Sequence, residues 1–339
     1  MPYTFIMKTC YPLWHLMLLL ALTGCAGIAP APPPLAPPET QYSAQLVDAD
    51  TGEPLTLSSV AHRVQNVDVV VVGEFHGHHG AHLLQSRLQA ALYVQNPRQV
   101  LSLEQFDLNH QTALNRYLEG ETGESELIED ANAWDNYRAS YRPLVEFAKA
   151  RNLQVIAANA PGDVVRCVGR KGPEYLQNLP EGRRNQLPAA PFTDTPAYQD
   201  KFIKAISGSH GTGDTAMSER LQNTYQAQLL RDNTMASRIL DGLERYPEHQ
   251  ILHLTGTFHS EDRLGTVALL LQRAPETTVA VISPVFWLED EGRPALDAVR
   301  GKGDFVYFIQ PLPKEFRDPE RARSAMAERF SRPDPAGCD

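Results

Sequence analysis

The sequence predicts an α/β fold in which a doubly wound, mainly parallel sheet carries an inserted all-helical subdomain. Short apolar runs rich in β-branched residues recur without strict alternation, as expected of strands that helices cover on both faces. Stretches with helical periodicity, such as 81–94 and 143–151, separate these runs. No convincing strand pattern occurs between about 161 and 246, which predicts the helical insert. The predicted strands are 67–72, 100–103, 154–158, 251–255, 279–282 and 305–309.

Changes in composition divide the 339 residues into four predicted segments. With 42% hydrophobic and 21% charged residues, the chain has the composition of an ordinary folded protein. Within the insert, residues 217–243 keep apolar side chains at helical spacing, and Gly242 and Pro247 are read as stop signals. The segments are a signal peptide (1–24), a tether (25–45), an α/β domain (46–320) with its insert at about 161–246, and a C-terminal tail (321–339).

The formal net charge of −10 makes nucleic acid an unfavourable partner, because both surfaces are anionic. The same negative charge argues against electrostatic binding to acidic lipids through a polybasic surface. Any attachment to a membrane is therefore expected to use a covalent anchor.

The N-terminus has the features of a lipoprotein signal. Lys8 precedes the apolar run 13–22, which is shorter than the roughly 20 residues that a spanning helix requires. Leu-Thr-Gly-Cys at 22–25 is similar to a lipobox, which predicts cleavage before Cys25 and acylation of its thiol. Ala26, by similarity to known lipoproteins, predicts an outer-membrane location facing the periplasm. The proline-rich run 29–38 predicts an extended spacer.

Two cysteines, Cys167 and Cys338, remain in the predicted exported domain. An oxidising compartment permits a disulfide between them. Two free thiols are an equal alternative, because the sequence gives no distance between the two side chains.

Polar residues lie at the ends of several predicted strands. In a parallel sheet, these carboxyl ends share one edge. The motif VVVVGEFHGHHGAHLLQ places Glu74 and His76 directly after a strand, and LHLTGTFHS places His259 after another. Glu104 and Asn159 end two further strands. Because open α/β sheets bind ligands at the carboxyl ends of their strands, these side chains are expected to cluster there.

The neighbouring histidines have simpler interpretations. His78 and His79 precede a helix and are expected to be solvated, as polar loop residues usually are. His82 is expected to cap the helix or to pack against it.

Four residues of the predicted cluster also suit catalysis. Buried carboxylates and imidazoles need partners, and together they serve as general bases or ligands of a divalent ion. This pattern permits a metal-assisted hydrolase, although neither an H-E-x-x-H helix nor a G-x-S-x-G elbow occurs in the sequence. The catalytic residues of that alternative are Glu74, His76, Glu104 and His259.

Longer phrases of the sequence resemble one protein family in content and order. GEFH is followed by HLLQ, LEQFDLNHQ, YRPLVEFAKARNLQVIAANAP, YQAQLLRDNTMA and GTFH, between about 67 and 282. Together they resemble the ChaN family of haem-binding uptake lipoproteins. Related Tiki, TraB and erythromycin esterase-like proteins include hydrolases.

The resemblance implies a lipoprotein of haem and iron uptake or storage that binds haem non-covalently. It implies a homodimer that holds haem at its interface and a haem-uptake receptor as a further partner. A helical tyrosinate is the implied iron ligand, which selects Tyr225, although a half-buried structural tyrosine is the alternative. His210, in SGSHGTG, is the next candidate, and His76 and His259 complete the expected haem-binding set.

Haem also needs apolar walls and axial donors, which the helical insert is able to supply. An ordinary core is the alternative interpretation of such residues at helical spacing. No C-x-x-C-H motif occurs, so covalent attachment is not expected. The insert residues concerned are Tyr198, Phe202, Met217, Tyr225 and Met235.

Overall fold

A computed structural model describes residues 34–207, 218–288, 294, 297, 299–331 and 337–338, together with Met1 and Tyr3. The predicted signal peptide, Cys25, His210 and Met217 lie outside the described residues. Residues from Pro34 onward form one compact unit. No helix in the described ranges is long and apolar enough to cross a membrane.

An eight-stranded sheet organises the unit, in the order β2-β1-β8-β7-β3-β6-β4-β5. All neighbouring strands are parallel except β1, which is antiparallel to both β2 and β8. The predicted α/β class with a mainly parallel sheet is confirmed. The strands are β1 (Gln45–Asp48), β2 (Pro54–Leu55), β3 (Val69–Glu74), β4 (Gln99–Asp107), β5 (Gln154–Asn159), β6 (Gln250–Gly256), β7 (Val279–Phe286) and β8 (Phe305–Ile309).

Helices connect these strands and cover the sheet on both faces. Short 3₁₀ turns follow β4 and β6, and another follows α7. The helices are α1 (Leu57–Arg63), α2 (His79–Gln95), α3 (Gln111–Leu118), α4 (Glu124–Asp130), α5 (Tyr137–Ser140), α6 (Arg142–Ala150), α7 (Gly162–Lys171), α8 (Glu181–Arg184), α9 (Pro196–Ser207), α10 (Glu219–Arg245), α11 (Thr266–Arg273) and α12 (Pro319–Ser331).

The central strand β3 is apolar throughout because both of its faces are buried. Val70 and Val72 belong to a cluster that includes Leu88 of α2. Val69 and Val71 face the opposite layer, where they share a second cluster with side chains of α10 and α11. This two-sided burial is the reason that β3 lacks a polar and apolar alternation.

The described part of 161–246 contains helices and turns without a strand. The helix predicted at 217–243 is observed as α10, and its C-terminal half packs on the sheet through Met235 and Ile239. The predicted stop signal Gly242 lies inside α10 instead of after it. An added Cβ there would lie 2.7 Å from Cδ1 of Ile156, so glycine allows the helix to approach the sheet closely.

A disulfide joins Cys167 of α7 to Cys338, with the two Cα atoms 5.4 Å apart. It closes the question that the sequence leaves open between a disulfide and two free thiols. The bond connects the C-terminal tail to the helix that follows β5.

Candidate functional site

The site lies at the carboxyl edge of the sheet, where the parallel strands end. Glu74, the last residue of β3, is in register with Gly256, the last residue of the neighbouring β6. Glu104 lies on β4, the next strand after β6. The topology therefore brings Glu74 and Glu104 close together, although β4 continues past Glu104 to Asp107, so the expectation that Glu104 ends its strand is wrong.

Glu74 is a buried carboxylate surrounded by hydrogen-bond donors. Oε1 accepts from the Tyr141 hydroxyl at 2.6 Å, and Oε2 accepts from the Gln85 amide at 2.6 Å. Gln105 donates to Oε1 at 3.2 Å. Burial raises the pKa of Glu74, but hydrogen bonding to His76 and the charges of nearby histidines lower it to a net value below the ordinary one. Glu74 is thus held as an anion.

His76 is oriented by that anion. Its Nδ1–H donates to Glu74 Oε1 at 2.8 Å, and Trp134 packs edge-on against its ring. Burial lowers the pKa of His76, but the hydrogen bond to Glu74 and the charges of Glu104 and Glu74 raise it overall. The side chain is 45% exposed, and no described residue hydrogen-bonds to Nε2. One ring nitrogen is committed to Glu74, and the other is available for a ligand.

His82 supports this arrangement from the first turn of α2. The Gly77 N–H donates to His82 Nε2 at 3.1 Å, which makes Nε2 an acceptor and leaves the proton on Nδ1. That Nδ1–H donates to Gln85 Oε1 at 3.0 Å, and the Gln85 amide in turn reaches Glu74. The expectation that His82 packs is confirmed.

His78 is buried, so the expectation that it is solvated is wrong. It is the N-cap of α2, where Nδ1 accepts from the Gly80 N–H at 3.1 Å and the Ala81 N–H at 3.4 Å. Nε2–H donates to the Gln310 carbonyl at 2.7 Å. Burial lowers the pKa of His78. His79 is exposed as expected and stacks on Tyr42.

Glu104 joins β4 to the end of β6. Oε2 accepts from the Thr255 hydroxyl at 2.7 Å and from the Gly256 N–H at 2.6 Å. Burial raises the pKa of Glu104, but the charges of His259 and His76, with these hydrogen bonds, lower it to about 2.

His259 lies between two carboxylates. Its Nδ1–H donates to Asp232 Oδ1 at 2.8 Å, and Nε2 lies 3.5 Å from Glu104 Oε1. Burial lowers the pKa of His259, but the charges of Asp232 and Glu104 raise it overall. Asp232 also accepts from the Tyr198 hydroxyl at 2.7 Å and the Thr266 hydroxyl at 2.8 Å. His259 is therefore a buried histidine that the site favours as a cation.

A cavity of about 470 Å³ opens at this edge, within the range of roughly 300–1,000 Å³ of ligand pockets. Its walls are largely aromatic and aliphatic, and its polar groups include His76, His259 and Gln228. One wall comes from α9, and residues 208–217, which contain His210, follow that helix outside the described residues. The apolar lining is Phe75, Phe202, Ala205, Ile206 and Phe258.

Gly256 allows His76 to lie over the end of β6. An added Cβ at Gly256 would lie 2.9 Å from His76 Nε2 and 3.0 Å from Cε1. Real Cβ contacts do not occur at such distances, so a larger residue requires the imidazole to move.

Tyr225 is not brought to the cavity wall. It is buried with Phe202 and Tyr198, and its hydroxyl donates a short hydrogen bond to Asp194. Burial and the Asp194 carboxylate raise the pKa of Tyr225 well above its ordinary value. Its predicted role as an iron ligand stays a prediction, and the observed hydroxyl is committed to a carboxylate.

The other residues predicted from the insert divide between the cavity and the core. Phe202 lines the cavity, Tyr198 lies behind it against Asp232, and Met235 packs under the sheet. Asn159 is buried at the end of β5 and accepts from the Ala160 N–H, outside the cavity lining.

The pairing of carboxylates with histidines bears on the metal-assisted alternative. Across the described residues, no group of three His, Cys, Asp or Glu side chains is placed to hold a metal ion. Glu74 and Asp232 instead hydrogen-bond directly to His76 and His259. The four predicted residues come together at this edge, with His76 bonded to Glu74 and His259 Nε2 lying 3.5 Å from Glu104 Oε1.

Sequence reasoning missed Asp232, which lies in the middle of α10. The signal was a charged residue on the apolar face of the helix, one turn from Leu229 and Ala236. It also missed Phe75 and Phe258, which stand inside the GEFH and GTFH motifs and form two of the cavity walls.

The family model for haem-binding uptake proteins of the Tiki superfamily, ChaN, matches residues 60–270, more than half of the chain. This chain belongs to the ChaN family. The match contains Glu74, His76, Glu104 and His259, together with all of α10. No curated protein matches the chain in sequence.

A solved structure of a ChaN protein shows the shared fold. The structure of cofacial haem binding to ChaN of Campylobacter jejuni matches with a TM-score of 0.58 at 18% identity, over 79% of this chain and 97% of that one. A succinoglycan biosynthesis protein matches with a TM-score of 0.46 at 11% identity, over 75% and 90%. An erythromycin esterase mutant in its open conformation matches with a TM-score of 0.43 at 13% identity, over 79% and 82%.

Proposed function

We propose that this protein is a membrane-anchored lipoprotein that binds haem non-covalently as cargo in haem or iron uptake or storage. The haem lies in the cavity at the carboxyl edge of the sheet, with His76 as an axial ligand. One observation carries the proposal. The Nδ1–H of His76 is hydrogen-bonded to Glu74, which leaves Nε2 of the same ring available to a ligand beside the cavity.

Metal-binding histidines characteristically donate their second ring N–H to a carboxylate or carbonyl. Such a partner fixes the tautomer, orients the ring and makes the ligating nitrogen more basic. Glu74 is suited to this role because its hydrogen-bond donors hold it in place and keep it ionised despite its burial. Imidazole is a common axial ligand of haem iron.

The cavity walls fit the remaining surface of a porphyrin. Phe75, Phe202 and Phe258 offer flat apolar contacts, as haem pockets require.

The anchor and the dimer are further parts of the proposal. The lipobox-like run before Cys25 supports acylation, and Ala26 supports an outer-membrane location facing the periplasm. Because His76 is 45% exposed, a porphyrin bound to it keeps one side open to the surroundings, and a second copy of the chain is proposed to cover that side. A haem-uptake receptor is the proposed exchange partner.

A hemin titration tests the proposal. The chain from residue 25 onward, carrying Cys25→Ser, is titrated with hemin while the Soret band is recorded. We expect a saturable shift of the band and a change of sedimentation from monomer to dimer. An absorbance that stays equal to that of free hemin at every ratio contradicts the proposal.

The paired histidines support a second candidate, hydrolysis. His76 and His259 both line the cavity, and each is oriented by a carboxylate, the arrangement used for general base catalysis. Turnover of a chromogenic ester that disappears in both His76→Ala and His259→Ala supports this candidate. Activity that resists a chelator separates a metal-free mechanism from the metal-assisted one.

A further inference from the structure

The start of the folded domain and the cavity share one edge of the sheet. β1 is antiparallel to β8, with Gln45 in register with Phe308, so β1 begins where β8 ends. β8 is parallel to β7, and β7 is parallel to β3. The chain therefore enters the domain at the edge where β3 ends at Glu74.

Hydrogen bonds fix the entering segment to this edge. Gln41 Nε2 donates to Gln310 Oε1 at 3.1 Å and to the Pro311 carbonyl at 3.0 Å. Gln310 Nε2 donates to the Pro38 carbonyl at 2.7 Å. The Gln310 carbonyl also accepts from His78, two residues after His76. One residue thus contacts both the entering chain and the loop that carries His76.

The length of the intervening chain limits how far this edge can lie from an anchor. Eight residues lie between Cys25 and Pro34, and the nine steps from one Cα to the other span at most about 30 Å when fully extended. The edge where the parallel strands begin lies about 20 Å, the length of β3, from the edge where they end. A lipid on Cys25 would therefore hold Pro34 within about 30 Å of the bilayer, and Pro38, shortly after it in the chain, contacts Gln310 at the cavity edge.

Side chains at this edge suit a lipid surface. Gln41 donates a hydrogen bond to the Pro311 carbonyl. Tyr42 and Leu312 directly follow these two residues, so they lie beside this contact. Both side chains are exposed, at 60% and 43%. Exposed aromatic and aliphatic side chains together are typical of the membrane interface. We call Tyr42 and Leu312 the tether-side patch.

We propose that the tether-side patch faces the bilayer that holds the lipid of Cys25, so that the cavity opens toward that membrane. The inference rests on the proposed acylation of Cys25. In this orientation, cargo reaches the cavity from the bilayer or from a membrane-embedded partner without passing around the protein.

The test uses the acylated full-length mature chain in phosphatidylcholine vesicles that contain a headgroup-labelled quencher lipid. A single fluorophore is attached to Leu312→Cys or, as a matched control, to Val94→Cys. The two positions are 43% and 76% exposed, so labelling does not disturb the core. Val94 lies at the far end of α2, a helix of 17 residues that begins at the cavity edge and extends about 25 Å from it. Cys167 and Cys338 are oxidised and do not react with the label.

We expect several-fold stronger quenching at position 312 than at position 94, and loss of vesicle flotation in Cys25→Ser. Flotation of the acylated chain with equal quenching at both positions, or stronger quenching at 94, overturns the orientation and leaves the anchor intact. If the wild-type chain does not float, the proposed lipid anchor is wrong, and the proposed orientation is wrong with it. Hemin binding by the soluble chain tests the proposed function separately.

Discussion

Glu74 Oε1 accepts the Nδ1–H of His76 across 2.8 Å, at the point where the central strand β3 ends. The sheet places its most buried carboxylate at an edge, where it accepts a hydrogen bond from a half-exposed imidazole. Tyr141, Gln85 and Gln105 hold the other positions around the carboxylate, so it has little freedom to turn toward a second partner.

Replacing Glu74 by glutamine is expected to weaken hemin binding by roughly 10- to 100-fold, the usual effect of losing the group behind a metal-binding histidine. The amide is neutral, and its NH₂ faces donors that need an acceptor. The free energy of unfolding should also fall, by about 1–3 kcal/mol. Hemin titration and urea unfolding measure the two effects, with the exposed Glu129→Gln as control. Unchanged hemin affinity in a folded Glu74→Gln would show that Glu74 does not support the ligand.

Gly256→Ala is expected to impair hemin binding while the fold is kept. The new methyl group would lie 2.9 Å from His76 Nε2, and the half-exposed imidazole must swing away from Glu74 to avoid it. Gly182→Ala is the matched control, because nothing lies within 4 Å of an added Cβ there. Equal Soret titrations for the two variants would mean that the observed position of the His76 ring is not required for binding.

The low pKa of Glu104 predicts acid sensitivity. Its folded pKa of about 2 lies below the ordinary 4.5, so the associated stability is present above about pH 4.5 and is lost as the pH falls toward about 2. The full effect is on the order of 3 kcal/mol. Urea unfolding between about pH 5 and about pH 3 should show a steeper loss of stability for the wild type than for Glu104→Gln. Parallel pH profiles for the two proteins would exclude this role of Glu104.

Several features of the site were predictable because they follow from strand topology. Glu74, Glu104 and His259 end or follow runs that are recognisable as buried strands, and parallel strands necessarily share their carboxyl edge. The strands β1 and β2 were missed because they are short and antiparallel, with little apolar pattern of their own.

The remaining features depend on contacts between distant segments. His78 looked like a solvated loop residue, yet it caps α2 and bonds to Gln310, which is 232 positions away in the sequence. Asp232 looked like one polar residue in a long helix, until the fold placed it beside His259 and Tyr198. Tyr225 was selected by family resemblance, and only packing revealed its bond to Asp194.

Removing the disulfide by Cys338→Ser is expected to lower the free energy of unfolding by roughly 2–5 kcal/mol, because the bond closes a long loop in the unfolded chain. The two cysteines are 171 positions apart in the sequence. Urea unfolding should give the same loss for Cys167→Ser and for the reduced wild type. A wild-type midpoint that reduction leaves unchanged would contradict the expected contribution.

Identifying the iron ligand tests the proposed role of His76 most directly. Hemin titrations of wild type, His76→Ala, Tyr225→Phe and His210→Ala are compared by Soret position and affinity, with unfolding curves to confirm that each variant is folded. We expect His76→Ala to lose the shifted band and Tyr225→Phe to keep the wild-type spectrum. A wild-type spectrum in His76→Ala, together with its loss in Tyr225→Phe, would contradict the assignment of His76 and transfer the ligand role to the helical tyrosine.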